Sequence, residues 1–253
     1  MRMFINLRIS RRALSLVGIF LLLLVGIVAI KLVMVSNASV SKPIEQVKTD
    51  QKVISLTINV DWGEEYIPAI LDALDKDKAR VTFFVTGRWA KKHPELLKLM
   101  ASRGHEIENH GYSHLHPDQH SERANQEEIK KTESIIEGII GKKTRFYAPP
   151  YGEKGVSGLR AADQLGYKTI LWTLDTVDWR NESTPEIIAK RVLNPAIRFG
   201  IKPNKSGAIV LMHPKENTVK ALPVILDQLT REGFVLQTID ELITFDQFGD
   251  TTS

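Results

Sequence analysis

From residue 53 onward the chain alternates two kinds of segment. Strand-like runs at 53–60, 80–86, 105–107, 144–147, 168–173, 208–212 and 235–238 mark the first kind. Between them, segments at about 66–76, 93–103, 125–140, 156–165, 184–193 and 217–231 read as helices, several opening on a residue suited to a cap or a first turn, such as Thr184-Pro185 or Pro94. Strict alternation of this kind predicts an α/β fold with a parallel sheet, and about seven strands suit a distorted, incomplete (β/α) barrel. Ahead of it, residues 13–30 are unbroken apolar and small residues, preceded by Arg8, Arg11 and Arg12 and continued past Lys31 by Leu32-Val33-Met34-Val35. This pattern predicts one N-terminal transmembrane signal-anchor helix.

The expected organisation is a cytoplasmic basic segment (1–12), the anchor (13–35), a polar linker without periodicity (36–52), one domain (53–245) and a tail (246–253). With the arginines held inside, the domain is expected outside a single-pass cell membrane; the alternative is secretion after signal cleavage near Ser36-Asn37-Ala38.

Composition narrows the chemistry. The formal charge of +4 is concentrated at the start: residues 1–50 hold seven Lys/Arg against two Asp/Glu, and the remainder 27 against 28. A near-neutral domain lacks the basic face that nucleic-acid binding needs. The chain contains no cysteine, so a metal must be held by His, Asp or Glu.

His110-Gly111-Tyr112-Ser113-His114 places two of the seven histidines four apart just after the apolar run around Ile107, a spacing that puts both imidazoles on one face of a helical turn. Two such imidazoles can share a divalent ion if a third ligand arrives from elsewhere. Further clusters at 59–65, 149–152, 175–179 and at His213 also follow strand ends, the edge of such barrels where sites are built.

Through these residues the stretch from about Val53 to Ile243 resembles the polysaccharide deacetylases, carbohydrate esterases that include chitooligosaccharide and peptidoglycan deacetylases. It is most similar to membrane-anchored members of spore-forming Gram-positive bacteria, whose first motif reads Thr-Phe-Asp-x-x-Trp-Gly and whose last reads Leu-Met-His-Pro; here these are Thr57-Ile58-Asn59-Val60-Asp61-Trp62-Gly63 and Leu211-Met212-His213-Pro214. The resemblance implies a divalent metal, zinc first and cobalt, manganese or nickel as alternatives, on Asp61, His110 and His114, lowering the pKa of bound water and polarising an acetamide carbonyl. It implies a general acid at His213, supported by an aspartate taken as Asp175 in Asp175-Thr176-Val177-Asp178-Trp179, and a groove lined by Trp179. Tyr147-Ala148-Pro149-Pro150-Tyr151-Gly152 matches the family's Arg-Pro-Pro-Tyr-Gly segment, which assigns Pro150 and Tyr151 to substrate and oxyanion contact. The implied partner is an N-acetylglucosamine-containing polysaccharide, peptidoglycan or chitin-like.

Two positions depart from the family. Asn59 stands where the family has the aspartate that acts as general base, and an amide is essentially non-basic. Ala148 stands where the family has the arginine that pairs with that aspartate, so the losses are linked: a buried arginine without its anion is costly. Two readings follow: an N-deacetylase in which Asp61, Glu64, Glu65 or metal hydroxide supplies the base, or a catalytically impaired glycan-binding module. Sliding the first motif by two residues would instead place Asp61 in the base role. A third possibility extends the cluster through His116 and His120 into a metal-uptake surface.

Overall fold

The computed structural model describes residues 20–26, 40–196 and 203–246 and divides into two units, Met1–Val40 and Ser41–Ser253. In the first, residues 20–26 form a helix, α1. Among the described residues no helix is long and apolar enough to cross a membrane. The single-pass membrane localisation is corrected accordingly. Segment 1–12 and the rest of 13–35 lie outside the described residues.

The second unit carries strands β1 (Val53–Val60), β2 (Thr82–Val85), β3 (Glu106–Asn109), β4 (Phe146–Tyr147), β5 (Lys168–Thr169), β6 (Leu174–Asp175), β7 (Ala208–Met212) and β8 (Val235–Leu236). The helices are α2 (Ile67–Lys76), α3 (Gly87–Lys92), α4 (Pro94–Ser102), α5 (Glu122–Ile140), α6 (Val156–Gln164), α7 (Pro185–Leu193), α8 (Glu216–Arg231) and α9 (Ile239–Ile243). Every ladder between these strands is parallel, in the order β5-β4-β3-β2-β1-β7-β6 with β8 on the start of β1. The incomplete (β/α) barrel expected from the alternation is the fold observed.

Side-chain alternation along the strands separates two cores. Ile54, Leu56, Ile58 and Val60 of β1 join Phe83, Val210 and the apolar faces of α2 and α8 in the larger, outer core. Val53, Phe84, Phe146, Ala148, Ile170 and Ile209 form the smaller, inner one. All eight residues of β1 are buried, as befits a central parallel strand covered on both faces.

The stretch read as a linker is part of this unit from Ser41. The Ile44 N–H donates to Thr169 O at 2.9 Å, the Leu171 N–H to Ile44 O at 2.9 Å and the Val47 N–H to Gly207 O at 2.9 Å. Ile44 bridges Ile170 and Gln46 bridges Ala208, so the segment ties the chain after β5 to the start of β7. Its lack of periodicity reflects single-residue bridges in place of a ladder, and Val47 is buried in the inner core.

Glu108 of β3 points into the barrel, where one carboxylate oxygen accepts the N–H groups of Arg145 (2.7 Å) and Phe146 (2.8 Å). Burial pushes its carboxyl up to about 8 against these bonds, and neighbouring Glu106 adds to the rise. The native state therefore keeps a proton that the unfolded chain releases near the ordinary 4.5. Stability falls as pH rises through that window. Urea midpoints at about pH 5 and pH 8 are expected to differ more for the wild type than for Glu108→Gln, which keeps an acceptor and never ionises; equal differences would refute the account.

Candidate active site

The alternation that builds the inner core also builds the site. The inward parity gives Asn59 near the end of β1 and, continued past the strand ends, Asp61 after β1, Thr86 after β2, His110 after β3, Ala148 after β4 and His213 after β7. Because the strands are parallel, all of these ends emerge at one mouth. It opens on a cavity of about 400 Å³ lined by Asn59, Asp61, Trp62, His110, His114, Tyr151, Trp172, Asp175, Trp179, Leu211 and His213. Pro150 is buried behind this wall, opening the 3₁₀ turn Pro150–Gly152. Trp62 and Leu211 belong to the first and last motifs, which assign them no role, and Trp172 lies outside every motif.

The two histidines sit in a loop, not on a helical turn, which corrects the geometry expected from their spacing. His114 has a φ of 56°, and the loop is gathered by Glu128 of α5, one of whose carboxylate oxygens accepts the N–H groups of Tyr112 (3.0 Å) and Ser113 (2.6 Å) and the Ser113 hydroxyl (2.9 Å). The loop brings the imidazoles to 5.0 Å between ring centres. His110 Nδ1 lies 2.7 Å from Ala148 O, so Nδ1–H donates and Nε2 keeps its lone pair. Burial holds the His110 imidazole down to about 3 and also depresses that of His114. Both shifts favour the neutral imidazole that metal ligation requires.

Asp61 is differently engaged. Its Oδ1 accepts from Arg88 Nε (2.7 Å) and Thr86 Oγ1 (2.7 Å), and its Oδ2 accepts from Arg88 Nη2. Burial pushes its carboxyl up, but the bonds from Arg88 and Thr86 carry it below the ordinary value. Among the described residues no group of three His, Asp or Glu side chains is arranged to hold a metal ion. The two histidines suit a metal; the carboxylate, paired with a guanidinium, does not in this arrangement.

His213 stands at the end of β7. Its Nδ1–H donates to Asp178 Oδ1 (2.8 Å) and its backbone N–H to Asp178 Oδ2 (2.7 Å), which also accepts the Thr218 hydroxyl (2.7 Å). The aspartate supporting His213 is therefore Asp178, not Asp175, whose carboxylate accepts the Val177 N–H at 2.7 Å in its own turn. The turn is tight enough to hold Val177 at a φ of 50°, costly for a β-branched residue. Trp62 stacks on the His213 ring at 5.9 Å and 10°. The loop between Trp62 and α2 can approach this closely because residue 63 is glycine at a φ of 80°, where an added Cβ would lie 2.2 Å from Pro214 O.

Asn59 is 5% exposed, and its Oδ1 is buried without a hydrogen-bond partner. It is one of eight buried side-chain polar atoms among the described residues without a protein partner, and the only one of these whose residue lines the cavity. Opposite, Tyr151 adopts a φ of 61° and stacks on His116 at 3.7 Å, with His116 Nδ1 held by Glu153 at 2.6 Å. His120 Nδ1 meets His116 O at 3.0 Å. These two histidines brace the cleft wall, which leaves the metal-uptake surface without support.

A family model described as polysaccharide deacetylase matches residues 46–170. The chain is 35% identical over 204 residues to the uncharacterized protein YlxY of Bacillus subtilis (strain 168), covering 80% of this chain and 60% of that protein. It thus spans less than two thirds of YlxY. It is 33% identical over 199 residues to the peptidoglycan-N-acetylmuramic acid deacetylase PdaA of the same strain, covering 77% and 73%. Wild-type BA3943 of Bacillus anthracis, described as a CE4 family pseudoenzyme, matches with a TM-score of 0.73 at 35% identity, covering 82% of this chain and 70% of that one. A BA3943 mutant described as having restored enzymatic activity matches with the same TM-score of 0.73 at 34% identity, covering 82% and 73%. With the fold, the mouth and these likenesses in agreement, the chain belongs to the polysaccharide deacetylase family.

Proposed function

We propose that the chain is an N-deacetylase of cell-wall glycans, hydrolysing the acetamide of an N-acetylated sugar to acetate and a free amine, at a rate held low by Asn59. The observation that carries this reading is the convergence of Asn59, Asp61, His110, His114, Tyr151, Asp175, Trp179 and His213 on one cavity. The exposed rings of Trp62, Tyr151 and Trp179 offer apolar faces of the kind on which sugar rings rest. The peptidoglycan deacetylase PdaA supports an N-acetylated wall polymer as substrate.

In this reading His213 is the general acid. With Nδ1 committed to Asp178, its Nε2 is the position from which a proton reaches the leaving amine, and the Asp178 charge stabilises the imidazolium that precedes transfer. The backbone N–H of Tyr151, in a turn made rigid by Pro149 and Pro150, is assigned to the developing oxyanion. Asp61, His110 and His114 are the proposed ligands of a divalent ion, zinc first.

A second reading, a glycan-binding module that holds its ligand without cutting it, is favoured by one observation: the neutral, unpartnered Asn59 at the base position. Acetate release from N-acetylglucosamine oligomers and from peptidoglycan by the full-length chain, with zinc added, separates the two. Slow release that disappears in His110→Ala is expected. No release, with glycan binding retained, would establish the binding module instead.

A further inference from the structure

The family motifs do not account for Arg88. It lies in the first turn of α3, capped by Thr86, and the start of that helix is pressed against the histidine loop: the Gly87 N–H donates to Gly111 O at 2.9 Å and the Arg88 N–H to Tyr112 O at 3.1 Å. Nothing larger than glycine fits at 87, where an added Cβ would stand 2.6 Å from Thr132 Oγ1 and 2.7 Å from the Tyr112 ring. The origin of the Arg88 side chain is therefore fixed. From there the guanidinium reaches across to Asp61 with both Nε and Nη2, the fork-on-fork geometry that makes arginine–carboxylate pairs specific. The Asp61 side chain is only 9% exposed, whereas that of Arg88 is 50% exposed, so the carboxylate is the fixed partner and the guanidinium has solvent into which it can withdraw.

We infer that Arg88 is a built-in counter-ion of Asp61 that occupies the carboxylate until a divalent cation arrives and must be displaced for the cation to bind, so that Arg88 sets the metal affinity of the cleft. This rests on the reading of Asp61, His110 and His114 as the metal ligands. With Asn59 neutral and Ala148 uncharged, the charge balance has moved: where the family pattern pairs an arginine with the base aspartate, this chain pairs one with the metal aspartate. The exchange costs the cation two charge-assisted hydrogen bonds before it gains the carboxylate.

Zinc titration of the full-length chain against a chromogenic chelator tests this. Arg88→Ala is expected to bind zinc at least about tenfold more tightly than the wild type, since losing one such bond is worth a factor of that order. Arg88→Lys, which keeps a charge but only a point donor, is expected to fall between them. Thermal melting gives an independent reading: without zinc Arg88→Ala melts below the wild type, because Asp61 has lost its partner, and zinc raises its midpoint by more than it raises that of the wild type. Equal or weaker zinc binding by Arg88→Ala, with binding lost in His110→Ala, would overturn the counter-ion role and leave the ligand set standing. No zinc binding by either protein would overturn both.

Discussion

Replacing Asn59 by aspartate is expected to raise acetate release from N-acetylglucosamine oligomers by about 10²–10⁴-fold, the usual contribution of a positioned general base. The substitution exchanges an amide for a carboxylate of nearly the same shape at a position that is 5% exposed, so it leaves the packing of β1 intact. Its oxygen takes the place of the Asn59 Oδ1, which is buried without a partner beside the cavity. The new carboxylate has no arginine opposite it, because residue 148 is alanine, and Asp61 lies two residues away. Desolvation raises its pKa, toward the range in which a base works near neutral pH. A gain of less than a few-fold, in a variant that still binds zinc and glycan, would show that some other group already serves as base.

Removing the carboxylate at Asp178 is the second large effect. Asp178 is 1% exposed and accepts three hydrogen bonds, two from His213 and one from Thr218. Asp178→Ala strands a buried hydroxyl and a backbone N–H and is expected to cost about 2–5 kcal/mol in denaturant unfolding. In the Asn59→Asp background the same change is expected to lower acetate release by about 10²–10⁴-fold, because His213 loses both its tautomer and the charge that supports its protonated form. Asp175→Asn in that background is expected to be far milder, since Asp175 caps its own turn and does not hold His213. If Asp175→Asn proved the more damaging, the assignment of the supporting aspartate would be reversed.

What the sequence made legible follows physical lines. β1 and β7 are delimited to the residue because both are apolar runs buried on each face and bounded by polar turns. β6 was missed because it is two residues long and owes its existence to pairing with β7, which no local pattern records. α9 was missed although its signal was present: Thr238 and Glu241 form a capping box, readable as Thr-x-x-Glu. α3 is a six-residue helix hidden behind the end of β2.

In the site, the motif residues could be named from the sequence, but their partners could not. Asp175 and Asp178 are equivalent in the string Asp-x-x-Asp-Trp; which one backs His213 is decided by the left-handed turn at Val177, a conformation that a β-branched residue does not advertise. Arg88 and Glu128 act on residues 27 and 15 or 16 positions away, through the adjacency of β1 to β2 and of α5 to the histidine loop. Such contacts belong to topology, not to local sequence.

The account turns on Asn59 being the vacant base position, and the acetate-release rate of Asn59→Asp as a function of pH tests that most directly. The account predicts an ascending acid limb, set by the new carboxylate, that the residual wild-type rate lacks. The same limb in both proteins, or no gain in rate at any pH, would contradict it.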